Sequence, residues 1–90
     1  MESDAAETLA LEALAYLASD ERRLGALIAQ AGWTLGELRA GAGDPLVLAG
    51  VLDFLLSDER LVVGFCEIVG CAPEAPMRAR RALPGSGADG

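Results

Sequence analysis

The tetrapeptide Ser19-Asp20-Glu21-Arg22 returns unchanged as Ser57-Asp58-Glu59-Arg60, 38 residues later. Each copy sits between two apolar runs of helical spacing, and the second run of each pair stops at a glycine. Around the two copies, Leu14 corresponds to Leu52, Tyr16 to Phe54, Leu17 to Leu55 and Gly32 to Gly70. A serine or aspartate oxygen at a helix start accepts from free first-turn amides. A glycine just past a helix end takes the left-handed conformation that closes it. The pattern therefore confines the chain to helix–corner–helix–glycine units. Two accounts fit it: two pseudo-repeated halves, or one tight corner solved twice by the same caps.

The rest of the chain agrees with an all-α fold. Apolar residues recur at helical spacing throughout, and no alternation of apolar and polar residues marks a strand. Six helices are expected. The first runs from about Asp4 to Ala18, with Ala6, Leu9, Ala10, Ala13, Leu14 and Leu17 on one face. The second follows Ser19 or Asp20 and ends at Gly32; the third, capped by Thr34, turns Leu35 and Leu38 inward and closes at Gly41 and Gly43. Asp44-Pro45 is the clearest boundary, because proline at the first helical position loses no hydrogen bond. It opens a fourth helix that reaches Leu56. A fifth follows Ser57 or Asp58 and runs to Val69, and a sixth is expected from Pro73 to the Pro84-Gly85 stop. Pro76 is tolerated only in the first turn of that helix. The expectation is a compact bundle of five or six short helices over residues 5–84, with disordered ends at 1–4 and 85–90.

Composition narrows the chemistry. The 90 residues carry a net charge of −7, no histidine and no lysine, and all seven basic side chains are arginine. Histidine serves most acid–base and metal chemistry near neutral pH, and no nucleophile motif or phosphate loop stands in for it. Two cysteines, Cys66 and Cys71, are too few to hold zinc alone. No enzyme, metal or cofactor is therefore expected. The negative charge disfavours nucleic acid and anionic membrane as partners. Asp53 and Glu67 interrupt the longest apolar stretches well short of a membrane span. The acidic opening Met1-Glu2-Ser3-Asp4 is unlike a secretory signal, so a cytoplasmic protein with reduced thiols is expected.

The stretch Leu52 to Leu61, Gly64-Phe65-Cys66, Pro73-Glu74-Ala75, Arg78-Ala79-Arg80 and Ala82 to Gly85, together with Ala13 to Leu17, resembles a family of short bacterial proteins known as a domain of unknown function. The resemblance covers about residues 8–85 and brings no activity, cofactor or partner with it. Ala72 departs from the family pattern, which places a good capping residue before Pro73, and this leaves the start of the sixth helix open. Residues 20–57 also resemble a ubiquitin-associated-type three-helix bundle, with Ala31-Gly32-Trp33 where such domains carry a Met-Gly-Phe loop. That likeness implies Trp33 on a partner-binding loop. Gly32, Trp33, Thr34 and Leu38 further resemble the turn of a helix-turn-helix. Against nucleic-acid binding stand Ile28, where that motif wants a small residue, and a second helix with only Glu37 and Arg39 to offer.

The fourth and fifth helices are apolar on nearly all sides. Such helices are normally buried all round, which a small domain achieves with difficulty for two at once. Either they form a central hairpin wrapped by the others, or one face stays open for a partner protein or a second copy. The expected function is a non-enzymatic protein-interaction module, with a self-associating homodimer as the alternative. Trp33, Val47, Phe54, Val62 and Phe65 are the candidate contact residues. Asp53, the lone charge amid the fourth helix, either marks its solvent face or pairs with an arginine, Arg22 and Arg60 being the candidates. Six acidic and no basic side chains in residues 1–21 stand against Arg78, Arg80 and Arg81 near the other end. Those arginines suit a helix C-terminus or a pairing of the first helix with the last.

Overall fold

Aspartate closes both repeated corners. Asp20 Oδ1 accepts from the Arg22 and Arg23 amides at 2.8 and 3.4 Å, and Asp58 Oδ1 accepts from the Arg60 amide at 2.9 Å. The serine before each aspartate turns back instead: Ser19 Oγ donates to the Tyr16 carbonyl and Ser57 Oγ to the Phe54 carbonyl, both at 2.6 Å. The matching glycines also agree, Gly32 and Gly70 each having φ of 75°. In the computed structural model, which describes residues 1–84, the sequence repeat is thus a repeat of backbone geometry.

The architecture is all-α: α1 (Ser3–Ala18), α2 (Glu21–Ala31), α3 (Leu35–Ala40), α4 (Pro45–Leu56), α5 (Glu59–Val69) and α6 (Ala75–Arg81). No strand occurs among the described residues. Thr34 and Glu37 start α3 with a reciprocal capping box, Thr34 Oγ1 accepting from the Glu37 amide and Glu37 Oε1 from the Thr34 amide. Asp44 Oδ1 caps α4 through the Leu46 amide at 2.9 Å, with Pro45 in the first turn.

Three boundaries differ from expectation. The first helix begins at Ser3, inside the stretch expected to be disordered, because the Ala6 amide already reaches the Glu2 carbonyl at 2.9 Å. The sixth begins at Ala75 rather than Pro73. Ala72 has no side-chain oxygen to cap a helix there, and a turn closed by the Ala75 amide on the Ala72 carbonyl takes its place. Pro76 then falls in the first turn, where its missing N–H costs nothing. That helix also stops early, at Arg81, since a residue before proline, here Leu83, is driven out of the helical region. The expected disorder at 85–90 lies outside the described residues.

The centre is α4, but its main neighbours are α1 and α6 rather than α5. Ala6, Ala10 and Ala13 of α1 are fully buried, and small side chains let neighbouring helices approach closely. Leu48, Val51, Leu52 and Leu55 of α4 fill the space in front of them, with Ala79 of α6 and Leu83 just after it completing the layer. A central α4–α5 hairpin wrapped by the other helices is therefore not the arrangement. Helix α5 lies at the edge and buries only Phe65 and Cys66, leaving Val63 and Ile68 in solvent. Leu61, Val62 and Val69 pack half-buried against the core, so only part of the helix's apolar surface faces outward. No helix among the described residues is long and apolar enough to cross a membrane.

Candidate functional site

Gly32 directs the chain toward the site. Its left-handed backbone lets the Gly32 and Trp33 amides both donate to the Ile28 carbonyl, at 2.9 and 3.1 Å, and so ends α2. Trp33 then leans onto α4, and Thr34 turns the chain into α3. The indole lies over Gly50, so closely that a Cβ there would stand 2.8 Å from Trp33 Cη2. Positions 50, 53 and 54 share a helical face, and Asp53 and Phe54 flank the place where the indole rests. Leu27, Gln30 and Ala31 of α2 form the facing wall. Together these residues enclose an open recess of about 300 Å³. Its exposed lining is about as polar as it is apolar, the Gln30 amide and the Asp53 carboxylate being its polar side chains beside the indole N–H.

Asp53 also ties the recess to the last helix. Arg80 Nε donates to Asp53 Oδ1 at 2.6 Å, and Arg80 Nη1 donates to the Pro84 carbonyl at 3.1 Å. The arginine paired with Asp53 is thus neither Arg22 nor Arg60. Asp53 points outward and Arg80 is largely covered, with side-chain exposures of 58% and 13%. Helix α6 does pack on α1, yet this ion pair runs from α6 to α4.

The candidate contact residues separate. Trp33 and Phe54, both half-buried, meet in the recess. Val47 sits away from it in the first turn of α4, against Gly41, and Val62 packs half-buried against the core. Phe65 is fully buried, so it cannot touch a partner of the folded chain. It lies beneath Tyr16, with ring centroids 5.8 Å apart and planes at 59°, while Arg23 stacks over the other part of that cluster, 4.7 Å from the Tyr16 centroid. Sequence reasoning passed over Gly50, and it placed Arg80 in the basic cluster of the last helix without pairing it with Asp53. The first had a signal, since a lone glycine inside an apolar helix marks a close approach. The second had none, because 27 residues separate Arg80 from Asp53.

A second cluster lies at the far end of α5. Cys66 occupies its last turn and Cys71 follows the Gly70 cap. Cys71 Sγ donates to Cys66 Sγ at 3.2 Å, and Cys66 Sγ contacts the Ala72 carbonyl at 3.5 Å. Burial pushes the Cys66 thiol up to about 11, helped by the hydrogen bond and negative charge of Cys71 and by Glu74. Among the described residues no three or more cysteine, aspartate or glutamate side chains gather as a metal site would require.

A six-helix all-α chain with an aromatic recess and a cysteine pair is the class these features define. The family model described as Protein of unknown function (DUF3572) matches residues 3–86, and the chain belongs to that family. Neither a curated protein nor a solved structure matches it.

Proposed function

We propose that this protein is a non-enzymatic protein-interaction module that seats a partner's side chain in the recess between α2 and α4. One observation carries the proposal: Trp33 and Phe54, from separate parts of the chain, converge on one opening whose floor exists only because Gly50 lacks a side chain. Tryptophan is enriched among residues that dominate binding energy, and a concave opening that joins aromatic side chains to a few polar groups can both hold and orient a partner's side chain. The Asp53 carboxylate on the rim adds a hydrogen-bond acceptor for orientation. The net charge of −7 favours a protein partner over a phosphate backbone.

Ala31 is exposed and lines the recess, so Ala31→Arg narrows it without entering the core. Affinity capture from the source cell is expected to retain a partner on the native chain and to lose it on Ala31→Arg, with circular dichroism unchanged. Equal capture by both chains overturns the proposal.

A self-associating homodimer is the second reading, supported by exposed Val63 and Ile68 on α5. Light scattering at several concentrations separates the two. Mass rising with concentration, and held at the monomer value by Ile68→Glu, favours self-association through α5.

A further inference from the structure

We propose that Cys66 and Cys71 form a dithiol modification site that closes to an intrachain disulfide when the protein meets a small-molecule disulfide. The inference does not depend on the recess or on any partner. Its ground is the placement of the chain's two cysteines. Their sulfurs are 3.2 Å apart, and a disulfide bond of about 2.05 Å needs them to close by only about 1 Å. The approach is built by the fold: Gly70 turns the chain left-handed after α5, and the Gly70 and Cys71 amides both return to the Cys66 carbonyl, at 2.8 and 3.2 Å. That turn brings Cys71 back over the last turn of the helix.

The two thiols differ in access, and this assigns their order. Cys71 is half-buried and within reach of a small reagent, whereas Cys66 is covered. Burial also holds Cys66 in its protonated, unreactive form. Cys71 as thiolate therefore attacks one sulfur of the reagent, forming a mixed disulfide and expelling one small thiolate. Cys66 then gives up its proton and attacks Cys71 Sγ, which breaks the mixed disulfide and expels the second. The two protein thiols are oxidised, the reagent is reduced to two small thiols, and those thiols carry away both protons. The product fastens the end of α5 to the segment entering α6.

The test is to treat the reduced full-length protein with oxidised glutathione and measure its intact mass. The native chain is expected to lose two hydrogens and two titratable thiols, with no retained glutathione and no covalent dimer. Trypsin should place the bond within the single peptide 61–78, which contains both cysteines. The Cys66→Ala variant should stop at a glutathione adduct on Cys71, and Cys71→Ser should stay unmodified under the same exposure. If Cys66→Ala does not fold, the native mass and peptide decide alone. A native chain that accumulates the adduct, links to a second chain, or keeps both thiols while an unfolded control reacts overturns the proposal.

Discussion

Arg80 Nε reaches Asp53 Oδ1 at 2.6 Å across 27 residues of chain, and this joins α6 to the helix at the centre of the fold. The carboxylate stands in solvent, so water and salt screen the pair, and an exposed ion pair contributes about 0–1 kcal/mol. Asp53→Asn is expected to lower stability by about 1 kcal/mol or less, by urea unfolding. Arg80→Ala should cost more, because the covered arginine stem is packing surface as well as charge. The difference between the two variants should persist in high salt, while the Asp53→Asn loss shrinks.

The Trp33–Gly50 contact gives a prediction with its own optical readout, since Trp33 is the only tryptophan. A Cβ at position 50 would stand 2.8 and 3.1 Å from two atoms of the indole. Overpacking costs about 1–3 kcal/mol, and replacing a mid-helix glycine by alanine returns up to about 1 kcal/mol. Gly50→Ala should therefore lose up to about 2 kcal/mol and shift the Trp33 emission to the red as the indole swings into water. Unshifted emission would mean that the ring does not rest on α4.

Phe65 and Ile68 lie three residues apart on α5 and should respond in opposite ways. Phe65 is fully buried, and Ile68 is 72% exposed. Removing a buried phenylalanine ring costs about 3–5 kcal/mol, a large share of what holds a domain of this size together. Phe65→Ala should leave the chain largely unfolded at moderate urea. Ile68→Glu should change stability by no more than about 0.5 kcal/mol. Equal losses would place α5 deeper in the fold than it lies here.

The corners were legible from sequence because they are local. Asp20, Asp58, Gly32 and Gly70 each act within three or four residues, and their chemistry is written at their own positions. The layering was not. Val-rich α5 looked more central than Ala-rich α1, yet Ala6, Ala10 and Ala13 give α1 the smooth face on which α4 and α6 can close. Hydrophobicity counts what a side chain gains from burial; close approach depends on how little space it takes. The recess was half legible. Trp33 and Phe54 stood out as aromatics, whereas their meeting rests on Gly50 and on the rotation of α4, which no local pattern specifies. Phe65 had the same aromatic signal and went to the core.

The paired caps can be tested against each other. Asp20 holds two amides and Asp58 one. Loss of a capping oxygen costs about 0.5–2 kcal/mol. Asp20→Ala and Asp58→Ala should each destabilise by about 1 kcal/mol, and Asn at either position should restore most of it. The corners belong to separate helix pairs, so the double alanine variant should show the sum of the two losses. A marked departure from additivity would reveal coupling between the two halves.

Cys66 sets a limit at alkaline pH. Its thiol is pushed from 9.0 up to about 11, chiefly by burial and next by Cys71. A group whose folded value is raised stabilises the fold fully below its unfolded value. Between pH 9 and about 11 the unfolded chain loses this proton while the folded chain keeps it. Stability should therefore fall with rising pH across that window, and the decline should level off once the folded thiol also ionises. The measurement is the urea midpoint of reduced protein at steps through this range, beside Cys66→Ala. The variant removes the buried thiol, so its decline should be shallower than that of the native chain. Parallel curves would show that ionisation of Cys66 is not resisted by the fold. Cys66 would then compete with Cys71 for an alkylating reagent instead of reacting after it.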